Sequence, residues 1–155
     1  MPFTMVHEDI LPFFGVNCQC ELEERSLPQP LPGLPTTTGW APTNIIQTGQ
    51  NWRVQFDWNT IGPLNYYMAG TWHLRVYLEK MGGGEFTLPS ANKTVNFVSA
   101  PHHYSNEYIE IPGGTVPAGI YKLVTAITMK GPGGIPGPIA MFGEGPMVQF
   151  YDVGP

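Results

Sequence analysis

The 155-residue chain reads as an all-β protein, an antiparallel β-sandwich preceded by an extended N-terminal arm. Three observations lead there. Apolar and polar residues alternate with period two in several short segments. The 19 Gly and 17 Pro punctuate the spaces between them, as turns require. No segment shows the i, i+3, i+4 apolar spacing of an amphipathic helix. A hydrophobic fraction of 42% suffices for one core, and 12% aromatic residues set the chain apart from disordered sequences. The expected division is an arm over residues 1–44 and a sandwich domain over residues 45–155.

In the arm, Val16, Cys18, Cys20 and Leu22 alternate with Asn17, Gln19, Glu21 and Glu23. This is a strand signal, opened by Gly15, with no hairpin partner beside it in sequence. From Leu27 to Pro42 the chain carries Pro28, Pro30, Pro32, Pro35 and Pro42, which favours an extended, polyproline-like tether. At about 3.1 Å per residue, roughly fifteen such residues reach about 45 Å. The first strand is therefore expected to be able to pair far from the domain entry point, including on the sheet of another copy.

In the domain, Trp52, Val54, Phe56 and Trp58 share one face of a strand while Arg53, Gln55 and Asp57 share the other. Thr60 to Gly70 is an aromatic loop. Trp72, Leu74, Val76 and Leu78 then face one way and Thr71, His73, Arg75, Tyr77 and Glu79 the other, until Gly82 to Gly84 end the strand. Weaker strands are expected at Val95 to Val98 and Tyr104 to Ile111, and a strongly β-prone one at Ile120 to Met129. Gly131 to Pro138 is unfit for a helix or a central strand. Short strands resume at Ile139 to Phe142 and around Val148 and Phe150.

Pro117-Ala118-Gly119-Ile120-Tyr121-Lys122-Leu123 resembles the tyrosine corner of immunoglobulin-like domains, in which a Tyr two residues before a core position returns its hydroxyl to upstream backbone. The resemblance covers about the last 110 residues at fold level. It implies an immunoglobulin-like sandwich with Leu123 in the place of a core cysteine. Without the two core cysteines, Trp72 is expected to pack on aliphatic side chains.

A net charge of −5 and a pI near 5.2 offer no basic surface for phosphates, so nucleic acid is not an expected partner. No run of about 18 apolar residues suits a membrane-spanning helix. The opening residues lack the basic and apolar regions of a secretory signal, which makes cytoplasmic residence the expectation unless export takes a route without that mark. Cys18 and Cys20 sit at i and i+2, too far apart on one strand face for an easy disulfide, and read as small buried hydrophobes. With His7 alone nearby they fall short of a zinc site. His102 and His103 point oppositely in extended chain, and His73 sits on an outward strand face. The acids form no pair that sequence can place across a scissile bond, and the glycine clusters lack the Lys and Ser or Thr of a phosphate loop. Neither an enzyme nor a cofactor is expected.

Charged residues make up 12% of the chain, against about 25% in ordinary domains. Interface cores share that poverty of Lys, Glu and Asp and enrichment in Tyr, Trp, Phe and Met. The leading expectation is a structural subunit that self-associates into a filament, ring or other homopolymer by adding the arm strand to a neighbour's sheet. The residues expected at the contact are Val16, Cys18, Cys20 and Leu22 of the arm and the aromatics Tyr66, Tyr67, Tyr77 and Tyr108. The alternative is a monomeric binding module whose loops hold a carbohydrate or protein, the arm then completing its own sandwich. Carbohydrate draws no support from Trp52, Trp58 and Trp72, which fall in phase with core residues.

Overall fold

The computed structural model describes residues 2–7, 12–25, 40–89 and 91–152. In chain order the strands are β1 (Phe3–Thr4), β2 (Val6–His7), β3 (Gly15–Arg25), β4 (Trp40–Pro42), β5 (Ile45–Gln47), β6 (Trp52–Ile61), β7 (Thr71–Lys80), β8 (Gly84–Phe86), β9 (Asn92–Asn96), β10 (His103–Ile111), β11 (Gly119–Lys130) and β12 (Pro136–Tyr151). Sheet one runs β1-β3-β6-β10 with β4 also on β3. Sheet two runs β2-β12-β11-β7-β8 with β5 on β12 and β9 on β7. All pairings are antiparallel except that of β5 with β12. The two sheets form a sandwich-like arrangement, as the alternation predicts.

The inward faces follow the sequence. Trp52, Val54, Phe56 and Trp58 of β6 and Trp72, Leu74, Val76 and Leu78 of β7 are all buried in one core. Across the sandwich, Cys20 Sγ of β3 lies 3.7 Å from Thr125 Oγ1 of β11. Trp72 departs from its expected aliphatic setting. It packs on Trp58 with ring centroids 6.0 Å apart, on Phe97 at 5.5 Å and on Tyr104 at 6.0 Å, while Tyr104 stacks on Trp58 at 4.7 Å.

Tyr104 reaches that cluster because β10 breaks its own period. Tyr104 and Ile109 are both buried although they lie five positions apart, which strict alternation forbids. A register shift between Tyr104 and Glu107 against β6, with Asn106 at φ 59°, changes the phase. Asn is one of the few side chains that accepts this left-handed conformation. Likewise Ile139 to Phe142 and Val148 to Phe150 belong to one strand, β12, whose register against β11 shifts between Lys122 and Val124.

β3, the strand expected in an arm, lies inside sheet one of its own chain. It pairs with β6 from Gly15–Ile61 through Glu24–Trp52 and carries β1 and β4 on its other edge. The start of the chain is held by close approach at β12. A Cβ on Gly143 would lie 2.9 Å from Phe3 Cε2 and from Met5 Cγ, and one on Gly145 would lie 2.9 Å from Phe3 Cε1. Of the tether expected from Leu27 to Pro42, residues 27–39 lie outside the described residues, and Trp40–Pro42 form β4 instead of free extended chain. Arg25 and Trp40 are register partners. The short strands β1, β2, β4, β5 and β8 carry too few residues to show a period, and none was anticipated.

Tyr121 donates its hydroxyl hydrogen to Pro117 O at 2.9 Å, and burial pushes its pKa up, so it stays a donor. This is the backbone return that the tyrosine-corner resemblance implies. Replacing Tyr121 with Phe removes that bond and nothing else. A loss of about 1 kcal/mol is expected, read as a lower urea midpoint with an unchanged slope.

Candidate functional site

The outer faces of the two sheets are finished differently. On sheet one, Arg53 Cζ sits 4.3 Å from the Trp40 ring centroid and 4.5 Å from that of Tyr108. Its Nε donates to Glu23 Oε1 at 3.0 Å. Lys93 Nζ lies 5.2 Å from the same Tyr108 ring and 2.8 Å from Glu107 Oε2. Beside them, His103 Nε2 meets Asp57 Oδ1 at 2.7 Å. Arg53, Lys93 and His103 each meet a carboxylate here, and the stripe ties β4, β3, β6, β10 and β9 together.

Sheet two instead leaves an open groove of about 580 Å³. Period two puts Arg75, Tyr77 and Glu79 of β7 on the outer face, about 6.6 Å apart in steps of two residues. Register places Ala126 of β11 opposite Arg75 and Val124 opposite Tyr77, with Phe142 of β12 beyond Ala126. The two small side chains form a floor between the rings of Tyr77, 44% exposed, and Phe142, 57% exposed. The segment between β8 and β9 forms the rim with Thr87 and Asn92. Among the described residues neither Arg75 nor Glu79 has a hydrogen bond or an ion pair of its own. Next along β7, His73 Nε2 lies 2.9 Å from Thr71 Oγ1. Desolvation first, then the cations Lys130 and Arg75, hold its pKa below the usual imidazole value.

A second surface lies at the end of the sandwich where β6 finishes and β7, β12 and β10 begin. Leu64 N donates to Phe13 O at 2.9 Å, Phe97 N to Gly70 O at 3.0 Å, and Ser99 Oγ to Met68 O at 2.7 Å. Gly70, at φ 138°, lies so close to Lys130 O that a Cβ would collide with it. These contacts join four loops: 12–14, 61–70, 97–102 and 131–135. None of the four contains Asp, Glu, Lys or Arg. They expose Phe13, Ile61, Leu64, Tyr66, Tyr67, Val98 and Ile135, with Tyr67 at 86% and Ile135 at 69%. Buried Asn65 organises the largest loop, its Nδ2 donating to Ile61 O and Gly62 O at 2.9 Å each. Gly62, at φ 97°, packs its Cα against Phe13 O, where no Cβ fits.

The residues expected at a contact are thus dispersed. Val16, Cys18, Cys20 and Leu22 are buried in the core of their own chain. Cys18 and Cys20 are free thiols, and the hydrogen bond to Cys20 together with burial pushes the Cys18 pKa far up. Tyr66 and Tyr67 stand on the charge-free end, Tyr77 in the groove, and Tyr108 in the charged stripe on the opposite face. Sequence reasoning missed Phe142 and Ile135. Phe142 lies in phase with inert Ala140 beyond a bulge, and Ile135 is isolated among glycines and prolines. No group of three His, Cys, Asp or Glu among the described residues is placed to hold a metal, and no described helix is long and apolar enough to cross a membrane.

Two outcomes follow. Asn65→Ala leaves Ile61 O and Gly62 O without their donor and is expected to destabilise the fold by about 1–3 kcal/mol, measured by denaturant titration. His73 is expected to titrate below about 6.5, and Arg75→Met to raise its midpoint part of the way back, as followed by NMR. Comparison with known protein families, curated proteins and solved structures returns no match.

Proposed function

We propose that the protein is a non-enzymatic structural subunit that associates with copies of itself through the charge-free end of its sandwich. The observation that carries this reading is the gathering of seven exposed apolar side chains on four uncharged loops. Taking ~200 Å² for a large side chain, the seven expose on the order of 800 Å², about one partner's share of a standard interface. Such an area exceeds the scattered apolar surface of ordinary monomers. Burying it desolvates no ion, because the loops carry none.

In this reading the fold is an immunoglobulin-like sandwich, a type supported by the Tyr121 hydrogen bond to Pro117 O. Residues 1–44 are an arm on the domain of residues 45–155, and the arm completes its own chain's sheet. The place of β3 between β1 and β6 favours a loop-end contact over strand addition. Two copies joined by the same end close as a two-fold pair. Joined instead to the exposed Ile45, Met81, Ile120 and Tyr151 near the opposite end, they propagate as a ring or filament. A binding module is the second reading, favoured by the open groove on sheet two.

The test is sedimentation velocity at micromolar concentration. Wild type is expected to run above its 17.1 kDa monomer mass, and to do so in both low and moderate salt, because apolar burial is not screened. Tyr67→Asp with Ile135→Asp is expected to give monomers of unchanged circular dichroism. A wild-type protein that sediments as a monomer throughout would reject the proposal.

A further inference from the structure

We propose that the groove on sheet two binds an acidic oligosaccharide, one sugar ring lying between Tyr77 and Phe142 with its carboxylate on Arg75. The inference stands on the groove and not on the association described above.

Three features select this ligand class. First, the rings of Tyr77 and Phe142 rise on either side of a floor made by Val124 and Ala126. Neither ring has an aromatic or cation partner among the described residues, in contrast to Tyr108, which is occupied by Arg53 and Lys93. Exposed aromatic faces over a shallow floor suit the C–H faces of a pyranose. The groove also falls in the volume range of small-ligand sites, about 300–1,000 Å³.

Second, the polar groups around the rings are planar and free. Arg75 stands opposite Asn92 at one end of the row and Glu79 at the other, with Thr87 on the rim. A guanidinium, an amide, a carboxylate and a hydroxyl together offer donors and acceptors in several directions, as sugar hydroxyls need. A peptide would find less. The backbone groups of β7 and β11 in the groove are committed to sheet pairing, so no edge is open there for an added strand.

Third, the groove holds a cation with no carboxylate partner among the described residues. Arg53, Lys93 and Lys122 each contact a carboxylate. Arg25, Arg75, Lys80 and Lys130 have none among the described residues, and of these four only Arg75 lines the groove. In a chain of net charge −5, a free guanidinium beside an aromatic platform fits a carboxylate, which it can grip with two parallel N–H donors.

Isothermal titration of the full chain with trigalacturonate, against neutral maltotriose, tests the proposal. Trigalacturonate is expected to bind at least about tenfold more tightly, the smallest effect expected of a hydrogen bond to a charged group. Arg75→Met is expected to abolish that preference while leaving neutral-sugar binding in place. Phe142→Leu should weaken both sugars, and Phe142→Trp, which keeps a flat ring, should retain them. Absence of trigalacturonate binding at millimolar concentration would overturn the proposal. So would binding unchanged by Arg75→Met and Phe142→Leu, or equal affinity for a hexaglutamate peptide, which would mean that charge alone is read.

Discussion

The pairing of β3 with β6 is the interaction on which the rest of this sandwich depends. A strand that faces a core on one side tolerates only one register, since a slip of one residue turns its whole apolar set outward. Here such a slip would expose Val16, Cys18, Cys20 and Leu22 and bury Asn17, Gln19 and Glu21. Each large apolar side chain contributes roughly 1.5–3 kcal/mol by burial, so the set as a whole is comparable with the net stability of a domain, about 5–15 kcal/mol. The same register brings Glu23 to Arg53 and thereby sets the cation–aromatic stripe on the outside. One strand thus fixes a face of the core and a face of the surface.

The two outer faces then divide the work. On sheet one the cations Arg53 and Lys93 are engaged by carboxylates and by Trp40 and Tyr108, which leaves a stitched, polar face that holds the edges β4 and β9. On sheet two the corresponding positions hold small side chains in the middle and unengaged aromatic and charged ones at the sides. The end loops form a third environment, uncharged and apolar, shaped by Asn65 and by glycines at close backbone approaches. These differences arise from composition at a few positions. Ala126 and Val124 leave room where larger residues would fill it, and the absence of Lys and Glu from four loops leaves their surface without a hydration shell of ions.

Much of the fold was legible because period two is a direct readout of a half-buried strand. The inward faces of β3, β6 and β7 follow from alternation alone, and the Tyr121 bond follows from a short local pattern. What stayed hidden was non-local. A bulge changes phase by one residue, so Tyr104 reads as surface and lies in the core, and β12 reads as two strands. Two- and three-residue strands owe their existence to a partner elsewhere in the chain and have no period of their own. The placement of β3 beside β6 joins segments distant in sequence, which no local pattern encodes. The groove was half legible: Arg75, Tyr77 and Glu79 alternate visibly, but their partner Phe142 comes from a strand distant in sequence and is brought near by register.

The pairing of Arg25 with Trp40 has a consequence for how this chain can vary. Two cross-strand neighbours are fixed by their sheet, so the sequence joining them enters and leaves at one point. Doubling the length of such a connection adds only about 0.6 kcal/mol of closure entropy. Sequence added between these two residues would therefore raise the closure cost of the β3–β4 pair only slightly.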